Sequence, residues 1–396
     1  MHLVIVFYNI GGYHAARLRE TYLVCQQKGW DFTAIEVTDN TTDRPWGKMD
    51  DLLSFEVKTL LPIAATPNTI DRSPFSQVAA SLITECLTDI DPDIVAIPGW
   101  GFPVSRAALS WCQKHRVPTI LMSESKQDDE PRQWWKELLK SQLYIKKYDA
   151  GLVGSQQHKD YLVKLGFAEE KIFLGYDVVD NEYFSTGASR ARQDIISTRK
   201  REPNIPHKSY FFTANRLIER KNIARLIEAY ALYDREINSE DSWDLVVCGS
   251  GQELDNIQTI VNNYKLENRV HFPGFITYDR TPDWYGLASA FVHPAIQEQW
   301  GLVVNEACAA GLPILSSNTV GATRELVVEG KNGYLFNPED KQDMANALLK
   351  IHRLESASRD RLGIASQTIV KKYHPSVFAR GIFAAIDSTL LVKNSN

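Results

Sequence analysis

The sequence predicts an α/β protein of two doubly wound, Rossmann-like domains in series. Three observations carry that expectation. Short apolar runs recur with helical periodicity between them. Few of the runs alternate with polar residues, as expected for strands buried on both faces of a parallel sheet. And 396 residues are too many for one ordinary hydrophobic core.

The first series of strand-like runs is His2–Tyr8, Asp93–Pro98, Pro118–Met122, Ala150–Gly154 and Lys171–Leu174, with helical patterns such as Ala15–Lys28 and Pro131–Lys147 between them. The theme breaks at DNEYFSTGASRARQDIISTRKREPNIPHK, which is polar, rich in Arg and Lys, and closes with two prolines. It reads as a solvated linker running over the surface. The theme then restarts, with strands expected at Tyr210–Asn215, Asp244–Cys248, Val270–Phe275, Ala290–Pro294, Pro313–Ser316 and Gly333–Phe336. Helices are expected at Asn222–Glu236, Glu253–Leu266, Leu302–Ala310, Lys341–Leu354, Glu355–Tyr373 and Pro375–Leu391. The expected division is a domain over 1–180, a linker over 181–208, a second domain over 209–373 and a final helical segment over 374–396.

Composition bounds the function without naming it. Apolar residues make up 44% and charged residues 23%, ordinary for a soluble protein. The net charge of -5 argues against a general nucleic-acid binder, so an anionic ligand must be held by a local cluster. Five widely spaced cysteines form no C-x-x-C pair, which argues against a zinc site and a disulfide scaffold and fits a reducing, cytoplasmic setting. No run approaches the ~18 apolar residues needed to span a bilayer, and the N-terminal run is too short for a signal peptide.

Ligands of open α/β sheets bind beyond the carboxyl ends of the strands, so the residues following each strand are the candidates. After Tyr210–Asn215 come Arg216 and, just before a helix, Lys221. A planar fork, a compact ammonium and free helix amides suit a diphosphate, although a solvated basic loop is an equally good reading of these residues alone. After Ala290–Pro294 come Glu298, Gly301 and, about one turn into the next helix, Glu306. The two carboxylates sit at different depths and can accept hydrogen bonds from vicinal hydroxyls. Gly301 would let a ligand approach the backbone. Gly249, in a G-x-G after a strand, is a weak signal that a tight turn also explains. Phe275 lies at a strand end that could offer backbone contacts to a planar base. In the first half, Gly11 and Gly12 follow the first strand, but the full G-x-G-x-x-G fingerprint and its acidic partner are absent, which demotes dinucleotide binding.

Taken in order, these segments resemble glycosyltransferase family 4. NRLIERKNIARLIEAYA is similar to its G-R-L-x-x-x-K-G-x-x-x-L-I-x-A motif, EQWGLVVNEACAAGLPIL to its E-x-F-G-x-x-x-x-E-A-x-A-x-G-x-P-V-I motif, and VGATRELVVEGKNGYLF to its G-G-x-x-E-x-V-x-x-G-x-N-G-x-L-F motif. LGYDVVDNEYF resembles the junction segment G-V-D-x-x-x-F, and the likeness runs over roughly 171–373. The resemblance implies the GT-B fold, two Rossmann-like domains facing across a cleft, with the final helix crossing back to the first domain. It implies that Arg216 and Lys221 bind the donor diphosphate, Glu298 the donor sugar and Glu306 the ribose. Amides at Leu302 and Val303 would meet phosphate, Gly249 and Phe275 would lie along the donor, and the Gly11–Gly12 loop would close over it. The chain departs from the family at Asn215 and Asn222, where glycine is usual, at Trp300 for Phe, and at Ser123-Glu124-Ser125, where a His often follows the strand.

The activity so implied is retaining transfer of a hexose from a UDP- or GDP-sugar to a small-molecule, glycan or lipid-linked acceptor hydroxyl. No cofactor and no metal are expected, because side-chain cations and helix amides hold the leaving diphosphate and no Asp-x-Asp lies near the motifs. The acceptor attacks on the face the diphosphate leaves, and Glu298 positions the donor. The rivals are a nucleotide-sugar-binding protein without transfer and another GT-B enzyme, an epimerase or phosphorylase. The helix Pro131–Lys147 has two tryptophans with Arg132, Lys136, Lys140, Lys146 and Lys147, which would suit weak contact with an anionic membrane; packing against the first sheet is the favoured reading.

Overall fold

A computed structural model describes residues 1–39, 53–61, 74–129, 132–238 and 240–393. The chain divides into two compact units, Met1–Val179 with Tyr373–Asn396, and Asp180–Lys372.

The first unit is a parallel sheet of β1 (His2–Phe7), β2 (Asp31–Thr38), β3 (Val57–Leu61), β4 (Ile94–Pro98), β5 (Thr119–Ser123), β6 (Ala150–Val153) and β7 (Ile172–Leu174), in the order β3-β2-β1-β4-β5-β6-β7. Its helices are α1 (Gly12–Lys28), α2 (Pro74–Ile90), α3 (Pro103–His115), α4 (Trp134–Leu143) and α5 (Gln156–Lys164). The strands are apolar on both faces because both are covered. Val4, Val6 and Ile97 pack with Ile83 and Leu87 of α2 and Leu109 of α3. Leu3, Ile5 and Phe7 pack with Leu18 of α1 and with Phe378, Ile382 and Ile386 of the last helix, Pro375–Lys393. That last helix therefore belongs to the first unit's core. Strands β2 and β3 were not evident in the sequence, because Asp31 and Glu36 interrupt DFTAIEVT and Lys58 interrupts VKTLL.

The second unit holds α6 (Asn181–Gln193), α7 (Ile195–Arg201), β8 (Tyr210–Ala214), α8 (Ile223–Ile237), β9 (Asp244–Cys248), α9 (Leu254–Tyr264), β10 (Val270–Gly274), α10 (Thr281–Leu287) and β11 (Ala290–His293). It continues with α11 (Leu302–Ala309), β12 (Ile314–Ser317), α12 (Thr323–Leu326), β13 (Gly333–Phe336), α13 (Lys341–His352) and α14 (Ser356–Val370), and the helix Pro375–Lys393 is then α15. The sheet is parallel in the order β10-β9-β8-β11-β12-β13. Both sheets reverse direction next to their first strand, between β1 and β4 and between β8 and β11, and adjacent loops diverge there to leave a crevice.

Two expectations are corrected. The stretch 181–208 is not a surface linker. Asp180 caps α6 by accepting from Tyr183 N at 3.0 Å, and Phe184, Gly187, Ala188 and Ala191 form its buried stripe. Apart from Phe184 the stripe is made of small residues, so the Arg-rich outer face hides it in the sequence. The basic side chains are engaged as well: Arg192 Nη2 donates to Ala310 O at 2.6 Å, and Arg201 Nη2 to Asp283 Oδ2 at 2.8 Å. Nor is the segment expected at Pro131–Lys147 a helix packed by its apolar face. Pro131 lies outside the described residues, α4 covers Trp134–Leu143, and its large apolar side chains are exposed.

The fit of α6 against α10 depends on missing side chains. A Cβ on Gly187 would lie 2.5 Å from Pro282 Cβ, and one on Gly286 would lie 2.6 Å from Ala191 Cβ. Gly187→Ala should cost about 1–3 kcal/mol of stability by overpacking. Urea denaturation of mutant and wild type measures it, and an unchanged midpoint would show that the two helices are not in this contact.

Candidate functional site

The second sheet's crevice is built from the loops after β8 and β11. The loop after β8 is fixed from below by the loop after β9: Asn215 N donates to Cys248 O at 3.0 Å and Leu217 N to Ser250 O at 2.8 Å. Gly249 and Gly251 have φ of 129° and 156°, and a Cβ on either would fall 1.8 Å from Asn215 O or 2.3 Å from Leu217 O. These glycines let two backbones touch. Arg216 thus sits, partly exposed, between two anchored neighbours.

Lys221 closes a 3₁₀ turn and is buried. Asn222 follows in the left-handed region with φ 60°, which explains the asparagine where glycine is usual. Its side-chain amide donates to Pro294 O at 3.0 Å and Pro338 O at 2.8 Å, tying the loop after β8 to the loop after β11. Ile296 N donates to Arg220 O at 2.9 Å and completes the tie.

That tie brings Lys221 Nζ into an ion pair with Glu298 Oε2. Glu298, 13% exposed, is steadied by a backbone bridge to Val320, and Gly321 N donates to Glu298 O at 3.3 Å. A Cβ on Gly321 would lie 1.9 Å from Gln299 O, so that strap also needs its glycine. Trp300 is fully buried, and its indole N–H reaches Asn305 Oδ1 at 2.8 Å, which accommodates the larger ring where Phe is usual. Gly301 is the N-cap of α11 with φ 101°, and a Cβ there would meet Glu298 Cγ at 3.2 Å and His293 Nε2 at 3.4 Å. Leu302 and Val303, the first residues of α11, are partly exposed at that helix start.

Glu306 stands apart from this pair, about one turn into α11. Tyr285 Oη donates to Glu306 Oε2 at 2.9 Å. Burial pushes its carboxyl up to about 7, against the opposing effect of that hydrogen bond. His293, at the end of β11, was not singled out in the sequence. It is fully buried with Nε2 3.5 Å from Glu298 Oε2, and neither ring nitrogen has a hydrogen-bond partner. Burial, then the Lys221 charge, lower its pKa well below the ordinary value, so it is neutral. Its position as the last of four strand residues, just before the glutamate loop, is the signal that could have found it.

The structure therefore gathers Lys221, Glu298, Gly301 and His293 at one point, with Arg216 on the anchored loop beside it. Gly249 acts as a backbone spacer under that loop. Phe275 is partly buried just past β10. Gly11 and Gly12 belong to the first unit and lie at its own crevice, where Gly11 caps α1 and its N–H reaches His14 Nδ1 at 3.2 Å. Among the described residues, no three His, Cys, Asp or Glu side chains cluster as a metal site.

Comparison with known proteins agrees with this architecture. Residues 194–368 match the family model of glycosyl transferases group 1. Sucrose-phosphate synthase 4 from Arabidopsis thaliana is 30% identical over 159 residues, covering 37% of this chain and 15% of that protein. The chain matches less than a fifth of the length of such curated relatives. Among solved structures, a glycosyltransferase from Rickettsia africae ESF-5 superposes with a TM-score of 0.73 at 15% identity, over 98% of both chains. Anabaena HepE in complex with UDP-glucose superposes with a TM-score of 0.70 at 16% identity, over 100% of both chains. The fold is GT-B, as the motifs imply.

The raised carboxyl of Glu306 has a consequence for stability. Between the ordinary carboxylate range and about pH 7 the folded protein holds a proton that the unfolded chain has released. Stability contributed by this group is therefore lost as pH rises through that window. Glu306→Gln should raise the melting temperature over wild type at pH 8 and leave it unchanged at pH 5. An equal difference at both pH values would place Glu306 in solvent.

Proposed function

We propose that the chain is a retaining glycosyltransferase that moves a hexose from a UDP- or GDP-sugar to an acceptor hydroxyl without a metal. The observation that carries this reading is the Lys221–Glu298 pair beside the start of α11 at the crevice between β8 and β11, with Arg216 on the same loop as Lys221. A nucleoside diphosphate fits such a place, because backbone amides and side-chain cations are held there by loops that cannot drift. The family match over 194–368 and the UDP-glucose bound by HepE support the same donor class.

In this reading Arg216 and the first amides of α11 take the charge of the departing diphosphate. Glu298 positions the sugar and stabilises positive charge at its anomeric carbon. The acceptor oxygen attacks that carbon on the face from which the diphosphate oxygen leaves, and the leaving phosphate takes the acceptor proton. Configuration is retained without a covalent sugar–enzyme bond. Glu306 accepts from the ribose hydroxyls. The acceptor is a small molecule, a glycan or a lipid-linked sugar, and a cytoplasmic setting suits the free thiols among the described cysteines.

Two variants separate binding from transfer. Arg216→Ala should weaken nucleotide binding by about 2–4 kcal/mol through loss of a charge-assisted contact. Glu298→Gln should leave nucleotide affinity nearly unchanged while turnover falls about 10²-fold. Calorimetric titration with UDP and GDP beside steady-state transfer measures both. A wild type that binds the donor but never transfers or hydrolyses it across an acceptor panel would identify a binding protein instead.

Transfer should also persist in EDTA. Loss of activity that magnesium or manganese restores would show that the diphosphate charge is not met by side chains and amides.

A further inference from the structure

Helix α4 is built inside out. At ~100° per residue, Trp134, Leu138, Trp135, Leu139 and Leu143 cover about half of its circumference, with the exposed Gln142 the one polar residue among them. They are 78%, 52%, 46%, 49% and 48% exposed. The side turned to the protein is polar instead. Ser141 is buried and donates to Leu165 O at 2.5 Å. Lys140 Nζ donates to Glu137 Oε1 at 2.7 Å and to Tyr161 Oη at 2.8 Å, and packs over the Trp100 and Tyr161 rings. A helix that merely failed to pack would not fix itself by its polar seam and turn five large apolar side chains to water, since isolated exposed residues are common but a contiguous apolar face is not.

The charges around the face name its partner. Lys136 is exposed on the helix with its Nζ 5.3 Å from the centre of the Trp135 ring, and Lys146 and Lys147 are exposed in the turn that follows the helix. The helix has a single acid, Glu137, and that acid is turned inward and paired with Lys140. Apolar residues with tryptophans, edged by lysines and cleared of acids, are complementary to the headgroup–acyl boundary of an anionic bilayer. The face lies on a convex helix rather than in a groove, so a flat, deformable surface fits it better than a peptide does. Among the described residues no helix is long and apolar enough to cross a membrane, so contact would be with the surface.

We propose that α4 docks the protein on membranes containing anionic lipid. Trp134, Trp135, Leu138, Leu139 and Leu143 enter the interface, and Lys136, Lys146 and Lys147 meet the headgroups. The surface brings an enzyme of this class to an acceptor held in the bilayer, but docking itself needs neither donor nor acceptor.

The test is flotation of the full chain with vesicles of phosphatidylcholine alone or of phosphatidylcholine and phosphatidylglycerol in equal parts. Wild type should float with the anionic vesicles and at least about tenfold less with the neutral ones. Trp134→Ser with Leu138→Ser should lower anionic partition at least about tenfold, while circular dichroism and nucleotide affinity stay unchanged. Lys146→Ser with Lys147→Ser should lower it about 30-fold. Ile196→Ser, on an exposed residue of the second unit, should leave it unaltered. The proposal is overturned by a wild type that floats with neither vesicle or equally with both. It is also overturned by variants that float like wild type, or by a wild-type dimer in sedimentation that Trp134→Ser with Leu138→Ser abolishes, since a second copy would then be the occupant. Nucleotide titration on the same preparations reports separately on the donor site.

Discussion

A buried ammonium has to have an anion beside it, and at Lys221 that need organises the second unit's crevice. The anion comes from a different loop, so the loop after β11 must be held against the loop after β8. Asn222 does this with two hydrogen bonds from one side chain, and the Ile296–Arg220 backbone bond does it again. Gly301 and Gly321 leave room for the strap to pass. Removing either member of the pair would strand a charge in low dielectric, which is why so many local features converge on it. The pair is neutral as a whole. An incoming diphosphate would therefore find its countercharge at Arg216 and the α11 amides unless the pair opens, and an opened pair would free Glu298 for a sugar.

The two glutamates illustrate how one strand-to-helix connection can present two different carboxyl groups. Glu298 has an ammonium in contact and a neutral imidazole 3.5 Å away. Glu306 has a phenol and apolar surroundings, and its carboxyl titrates near neutrality. Both follow β11, and the raised pKa of Glu306 is set by what it faces rather than by its place in the sequence. His293, which precedes both, stays neutral because burial and the Lys221 charge oppose a second positive charge there.

The sequence showed much of this because buried parallel strands and glycine-marked loops leave strong local signals. Arg216, Lys221, Glu298 and Glu306 follow strand ends, where ligands of such sheets bind. What was hidden was hidden for physical reasons. Strand β2 carries charges that its burial tolerates, and Glu36 is used to accept from Ile10 N at 3.0 Å and Thr59 Oγ1 at 2.9 Å. Helix α6 buries small residues, so its amphipathic period is faint against its arginines. The ion pair between Lys221 and Glu298 joins residues far apart in the chain, and only the sheet order that places β8 beside β11 brings them together. The amphipathic pattern of α4 was visible, but amphipathicity does not say which face a helix turns inward.

The first unit solves its own electrostatic problem where the chain departs from the family pattern. After β5 stands Glu124 rather than His, and after β7 stands Asp177, fully buried. A Cβ on Gly154 would lie 1.6 Å from Asp177 Oδ2, so the carboxyl occupies space that glycine leaves open. Burial, then the Glu124 carboxyl, push Asp177 well above its ordinary pKa, while Arg17 opposes them. Arg17 is itself fully buried. Its Nε donates to Val178 O at 3.1 Å, its guanidinium lies 4.8 Å from the Tyr176 ring centre, and its terminal nitrogens have no hydrogen-bond partner. One fixed positive charge set among aromatic faces, with Glu124 and a protonated Asp177 nearby, balances to near neutrality. A histidine at the position of Glu124 would add a second site for positive charge to this cluster.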